Sequence, residues 1–247
     1  MIKLLRSITM ILLFIFFGIG ALILNLIIFP IAKVVLKEKN LLYFYSDTIH
    51  NLWKFFTTLC QISGMIRLDI KDREKIVSLK KKIIVATHPS FIDIVILIAL
   101  IPRTTCLVKS DLSKNPILNN IIKSIFILED ETIDSLLKHS KEMIDNGFNV
   151  IIFPSGIRHR KDEQPKIRKG AATMAMNARA DIAALKYYTD YDFLFINQPI
   201  YEAGSKPVTY TLSFAGEINT DSELKKSDNK IVVKKNITNM ITSLLYE

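Results

Sequence analysis

Apolar and polar positions divide the chain into two regimes. From Ile8 to Ile31 no charged residue occurs, and only Thr9, Asn25, the glycines and Pro30 interrupt Leu, Ile and Phe. At about 1.5 Å per residue, a helix over this stretch covers a bilayer core of about 30 Å. A signal peptide would show a shorter apolar region and small residues at a cleavage site. Here Leu, Ile and Phe continue past Ala21. Lys3 and Arg6 flank the segment on one side, and Lys33, Lys37 and Lys39 on the other. That balance gives only a weak orientation. A full span and a dip into one leaflet both fit. Next, Leu41, Phe44, Tyr45, Ile49, Leu52, Trp53, Phe56 and Leu59 recur at helical spacing, and Gly64 ends the run. Trp53, Tyr43 and Tyr45 suit a membrane-water interface, while a helix packed on a core fits the same spacing.

After Gly64 the pattern alternates. "IRLDIK" reads as a strand, followed by a charged helix over Asp72–Lys82. "KIIVATH", "TTCLV" and "NVIIF" are continuous apolar runs, as in strands buried on both faces. Helices are expected over Phe91–Ala99, Pro116–Ile125, Ile133–Asn146 and Lys169–Arg179. Further strands are expected at "DIAAL", "DFLFINQPIY" and "PVTYTLSFAG", with a closing helix through "NKIVVKKNITNMITSLL". This alternation implies βαβ units: an α/β fold with a mainly parallel sheet flanked by helices. No linker or internal repeat splits it. The expected division is residues 1–64, a membrane-embedded helical element with its amphipathic helix, and residues 65–247, one domain.

Composition narrows the partner. The chain has 33 Lys+Arg against 24 Asp+Glu, a formal charge of +9, with 49% hydrophobic residues. The charge excess suggests a nucleic acid, an anionic membrane or a phosphorylated ligand, or a lysine-rich solvated face. The apolar content favours the membrane. A nucleic-acid partner would explain the charge, but no recognised module is present and the N-terminal segment would be superfluous. Cys60 and Cys106 fit no metal or disulfide framework and read as packed thiols of a reducing compartment.

Two stretches carry chemistry. "THPSFID" sits where a buried strand gives way to a helix, the place where open α/β sheets bind ligands. Pro89 suits a first helical position. Within one helix, His88 and Asp93 would lie about 140° apart. If they meet, His88 lies in the turn before the helix. Asp93 would then fix the imidazole tautomer and leave the other ring nitrogen as a general base. The spacing is also compatible with a capping histidine and a surface aspartate. His50, His139 and His159 have less context. The second stretch, "FPSGIRHRKDEQPKIRKG", holds Arg158, Arg160, Lys161, Lys166, Arg168 and Lys169. Gly156 lets backbone N–H groups approach a ligand, Arg158 offers a fork for phosphate, and Gly170 opens a helix whose N-terminus attracts anions. A solvated basic turn is the alternative.

Together the stretches resemble the membrane glycerolipid acyltransferases, typified by bacterial 1-acyl-glycerol-3-phosphate acyltransferase. His88-Pro89-Ser90-Phe91-Ile92-Asp93 matches the family's H-x-x-x-x-D block. Phe153-Pro154-Ser155-Gly156-Ile157-Arg158-His159-Arg160 is similar to its F-P-E-G-T-R-S-R block, and Arg168-Lys169-Gly170-Ala171-Ala172 to its K-K-G-A-A. "VKSDL", with Lys109, resembles its lysine-bearing segment. The resemblance runs from the N-terminus to about Leu185. It implies direct acyl transfer from acyl-CoA or an acyl carrier protein to a lysolipid hydroxyl, the expected acceptor being 1-acyl-glycerol-3-phosphate. His88 would be the general base, oriented by Asp93. Lys109, Ser155, Gly156, Arg158, Lys169 and Gly170 would bind substrate. No metal or cofactor is implied beyond the thioester co-substrate, and no nucleic acid. The implied partners are membrane lipids, the lysolipid and the acyl donor. The implied location is a bacterial inner membrane, with the catalytic domain on the cytoplasmic side.

The chain departs from the family in four places. Ser155 and Ile157 replace the usual Glu and Thr; plastid glycerol-3-phosphate acyltransferases, with P-S-G-G-R-D-R, are similar at Ser155. Glu129, followed by Asp130 and Glu131, stands where the second block usually has arginine. "DIAAL" lacks the fourth block's proline. These changes point toward an acceptor with less negative charge or with an amine, such as lyso-ornithine lipid. They also leave open a non-catalytic lipid-binding homologue. A serine hydrolase using Ser90 or Ser155 is the other rival, although no G-x-S-x-G elbow is present.

Overall fold

The computed structural model describes residues 1–129, 132–160 and 162–247; Asp130, Glu131 and Lys161 lie outside the described residues. The N-terminal apolar stretch forms one continuous helical element, Ile2–Val35. It comprises α1 (Ile2–Ile23), a π-helical turn (Leu24–Ile28) and α2 (Phe29–Val35). It is long and apolar enough to cross a membrane, but it does not stand clear of the domain. Met10, Ala21, Leu24, Phe29 and Ala32 are buried in a core shared with the domain, while Leu12, Ile15, Ile19, Leu26 and Ile31 are exposed. Asn25, the one amide in the apolar run, lies in the π-turn. Its side chain donates to the Pro116 carbonyl and accepts from the Asn120 N–H, each at 2.7 Å. Arg6 is a strut rather than a flanking charge. Its guanidinium donates to the carbonyls of Gly64, Gly204 and Lys206 at 2.7 to 2.8 Å.

The amphipathic segment is α3 (Glu38–Ile62), closed by Gly64 in the left-handed region. Tyr45, Ile49, Phe56 and Cys60 bury one face. Leu52, Phe55 and Ile62 stay exposed on the other. Of the aromatic residues expected at an interface, Tyr45 is buried and Tyr43 and Trp53 are half-buried against the core, as the core-packing reading requires.

The remaining elements are β1 (Ile66–Ile70), α4 (Arg73–Val77), β2 (Ile83–Ala86), α5 (Asp93–Leu100), β3 (Thr104–Val108), α6 (Asp111–Lys114), α7 (Asn119–Ile125), β4 (Ile127–Leu128), α8 (Ile133–Asp145), β5 (Asn149–Ile152), α9 (Gly170–Ala178), β6 (Ile182–Thr189), β7 (Val208–Ile218), α10 (Thr220–Lys225) and α11 (Lys230–Tyr246). They build one sheet with the order β1-β7-β6-β2-β5-β3-β4. Strands β6, β2, β5, β3 and β4 are mutually parallel. β7 runs antiparallel to β6, and β1 runs parallel to β7. Every residue of β2 and β5 is buried, as their unbroken apolar runs require. One face of the sheet packs on the N-terminal helices, α3 and α5; the other packs on α8, α9 and α11.

Three local expectations change. The charged helix shrinks from Asp72–Lys82 to Arg73–Val77, bracketed by left-handed Asp72 and Lys81. Pro89 precedes α5 instead of opening it, because the turn runs on to Asp93. "DFLFINQPIY" is a loop between β6 and β7. Leu194 and Asn197 have positive φ, and the Gln198 side chain accepts from the Phe195 N–H at 3.0 Å. Phe193 and Leu194 are nonetheless buried. They plug the core without pairing in the sheet, a use of apolar residues that periodicity does not separate from a strand.

Candidate active site

Strands β2 and β5 are neighbours, and their carboxyl ends bring the two chemical stretches together. At the end of β2, the Thr87 hydroxyl accepts from the Tyr187 N–H and donates to the Tyr187 carbonyl, both at 2.6 Å. That latch on β6 fixes where the chain leaves the sheet. His88 follows in the turn and Asp93 is the first residue of α5, so the two side chains meet across the turn. Asp93 Oδ2 accepts from His88 Nδ1 at 2.9 Å and from the Ser90 N–H at 2.8 Å. Its Oδ1 accepts from Ser90 Oγ at 2.5 Å, and Ser90 Oγ accepts from the Tyr210 hydroxyl at 2.9 Å.

Asp93 is fully buried. Burial raises its carboxyl above the ordinary value, and the hydrogen bonds from His88 and Ser90 oppose that rise. With Nδ1 donating to Asp93, Nε2 of His88 is the nitrogen with a free lone pair. The ring stacks on Phe153, the residue after β5, with centroids 4.1 Å apart and planes 16° apart. Packing and hydrogen bonding together hold the imidazole in one orientation.

His88 lines a cleft of about 230 Å³ with Lys109, Glu129, Phe153, Gly156, Arg168 and Gly170. The turn after β5 forms its floor. The Gly156 N–H donates to the Phe153 carbonyl at 2.9 Å, with Gly156 at φ 69°. A Cβ at this position would lie 2.9 Å from Arg168 Cζ, so the guanidinium rests against bare backbone. The Arg168 N–H donates to the Pro154 carbonyl at 2.9 Å, which closes the loop beside the start of α9.

The remaining residues singled out by sequence point elsewhere. Ser155 is buried and donates to the Ile157 carbonyl at 2.8 Å. Arg158 donates to the Leu194 carbonyl at 2.7 Å, the same oxygen that accepts the Phe91 N–H at 3.2 Å. The Leu194 carbonyl thus joins the loop between β6 and β7 to the loop after β5 through Arg158 and to the turn after β2 through Phe91. Arg160 forms a two-pronged pair with Asp192 at 2.9 and 2.7 Å. Lys169 is exposed at the N-cap of α9, outside the cleft lining. The site thus collects His88, Asp93, Lys109, Gly156 and Gly170, adds Arg168 and Glu129, and leaves Ser155, Arg158 and Lys169 at its periphery.

A second histidine supports the first. The His159 N–H donates to the His88 carbonyl at 3.0 Å. His159 Nε2 lies 3.5 Å from the His88 backbone nitrogen and 3.0 Å from the Tyr246 hydroxyl. Its Nδ1 faces the Arg160 carbonyl at 3.1 Å. That set fits a neutral ring protonated on Nδ1 and accepting on Nε2. Burial also lowers its pKa below the usual 6.5. No sequence signal separated His159 from the other histidines, because its partners Tyr246 and His88 are remote in the chain.

Residues 67–188 match the acyltransferase family. No curated protein sequence matches the chain. Among solved structures, the chain is similar to the 1-acyl-sn-glycerophosphate acyltransferase PlsC from Thermotoga maritima. The identity is 16%, over 97% of this chain and 98% of that one, and the TM-score is 0.66. At that identity the likeness is one of fold.

Proposed function

Since residues 67–188 match the acyltransferase family, we propose that the chain moves a fatty acyl group from a thioester to the hydroxyl of a lysolipid at a membrane surface. The observation that carries this reading is the His88–Asp93 pair. A buried carboxylate holds Nδ1 at 2.9 Å, and the opposite nitrogen belongs to a residue lining the cleft. His88 Nε2 takes the proton of the acceptor hydroxyl as its oxygen attacks the thioester carbonyl. The tetrahedral intermediate collapses, the carbon–sulfur bond breaks, and the thiolate leaves with the proton from His88. The thioester is that of acyl-CoA or an acyl carrier protein, and no acyl-enzyme forms. Lys109 and Arg168, with the Gly156 turn and the start of α9, hold the acceptor headgroup. The family resemblance suggests 1-acyl-glycerol-3-phosphate as the reference acceptor.

The exposed stripe Leu12, Ile15, Ile19 and Leu26 is the membrane-seating surface in this reading. The opposite stripe is packed on the domain, which favours insertion into one leaflet over a free-standing span. A serine nucleophile is disfavoured. Ser90 is fully buried against Asp93 and Tyr210, and Ser155 is turned onto the Ile157 carbonyl. The test is to follow labelled acyl chains from the thioester into a diacylated lipid, with full-length protein in liposomes. Product that forms only with a lysolipid present supports the proposal; labelled free fatty acid formed without a lysolipid contradicts it.

A further inference from the structure

The cleft beside His88 carries an unusual charge set for a site that would hold a phosphomonoester. Lys109 directly follows β3 and Glu129 directly follows β4, and these strands pair in register through Val108 and Leu128. The Glu129 N–H donates to the Val108 carbonyl at 2.9 Å, so Lys109 and Glu129 emerge side by side. Arg168 Nη1 reaches Glu129 Oε1 at 3.9 Å, with both side chains about half exposed. An ion pair this open is weakly held and yields to a ligand. The other arginines of the loop face away: Arg158 to the Leu194 carbonyl and Arg160 to Asp192. Among the described residues, the cleft lining therefore offers two cations, Lys109 and Arg168, and one carboxylate, Glu129.

We propose that Glu129 selects an acceptor whose headgroup joins an amine to a single anionic group, and that a bare phosphomonoester is a poor acceptor. This rests on the acyltransferase reading of the same cleft. A phosphomonoester brings a charge of about −1.5 to −2 at pH 7. It would have to displace Glu129 from Arg168 and then face that carboxylate unpaired. An ammonium beside a carboxylate or phosphodiester satisfies all three side chains. The ammonium takes Glu129, and the anionic group takes Arg168 and Lys109. The headgroup thus gives Glu129 an ammonium in place of Arg168 and lets Arg168 and Lys109 share the one anionic group, whereas a phosphomonoester offers Glu129 no cation.

The test uses full-length protein in mixed micelles with a fixed acyl-CoA. kcat/KM is measured for 1-acyl-glycerol-3-phosphate, for lysophosphatidylethanolamine and for lyso-ornithine lipid. The last two share the amine and differ in having a phosphodiester or a carboxylate, so they separate the two sources. At least one amine-bearing acceptor should exceed 1-acyl-glycerol-3-phosphate by about tenfold or more, the effect of one well-placed charge. Glu129→Arg should reverse that ratio and Glu129→Gln should flatten it. The ratio is internal to each preparation, so partial loss of folded protein does not move it. A wild-type preference for the phosphomonoester, or an unchanged ratio in Glu129→Arg, overturns this inference and leaves the transferase reading intact. Transfer to no acceptor at all removes both.

Discussion

The Tyr246 hydroxyl lies 3.0 Å from His159 Nε2, joining the end of the closing helix to the histidine that clamps the backbone of His88. Protonating His159 would set Nε2–H against the His88 backbone N–H, 3.5 Å away, and turn the Tyr246 hydroxyl from donor to acceptor. Its depressed pKa means that the folded state binds fewer protons than the unfolded state just below pH 6.5. Its stabilising contribution is therefore complete above about pH 6.5 and is lost as pH falls from there through the folded value. Thermal melts from pH 7.5 to 5 should show the wild type losing stability on acidification, and His159→Gln losing less of it. Tyr246→Phe should lower kcat about three- to tenfold with KM nearly unchanged, the effect of one lost hydrogen bond acting through position.

Asp93 should act on kcat far more than on binding. Asp93→Asn removes the carboxylate charge and turns one of its two acceptor oxygens into a donor, which lets the imidazole adopt the wrong tautomer. In other His–Asp pairs that costs up to about four orders of magnitude in kcat. A fall of at least about a hundredfold with KM within about threefold is expected here. Ser90→Ala, which removes the Tyr210–Ser90–Asp93 link, should cost about tenfold or less. Steady-state kinetics on both variants checks the order.

Arg158 is expected to work as a strut. Its guanidinium shares the Leu194 carbonyl with the Phe91 N–H, so Arg158→Ala should loosen the turn that carries His88. A loss of about 1.5–3 kcal/mol in stability fits a hydrogen bond from a charged donor. The relative kcat/KM values across acceptor headgroups should stay unchanged. A selective loss of activity toward phosphate-bearing acceptors would instead make Arg158 a headgroup ligand.

The apolar stripe of α1 should govern membrane attachment without supporting the fold. Ile15 and Ile19 are 53% and 51% exposed. Replacing both with lysine should cut co-flotation with anionic liposomes and leave the melting temperature within a few degrees. Burying two charges in the acyl region opposes insertion, whereas an exposed side chain contributes little to the core.

Much of this architecture was legible in the sequence, for identifiable reasons. β2 and β5 are buried on both faces, so their residues form unbroken apolar runs that announce central strands. His88 and Asp93 were legible as a pair because the turn that joins them is local. Partners distant in the chain were not. Nothing near Arg158 announces Leu194, nothing near Ser90 announces Tyr210, and His159 meets Tyr246 across 87 positions. Phe193 and Leu194 misled for a different reason. A buried loop and a buried strand use the same apolar residues, and only positive φ at Leu194 and Asn197 separates them. Glu129 was visible as a departure, but its meaning depends on Arg168 and Lys109, which the fold alone gathers around it.

The proposed chemistry turns on His88 as the base in transfer to a lysolipid. Thiol release from acyl-CoA and from acyl carrier protein, with and without lysolipids, tests it most directly when the wild type is run beside His88→Ala of equal folded content. Release should require a lysolipid and fall by at least about a hundredfold in the variant, the scale of lost general-base catalysis. Release that proceeds without any lysolipid, or that survives in His88→Ala, would contradict it.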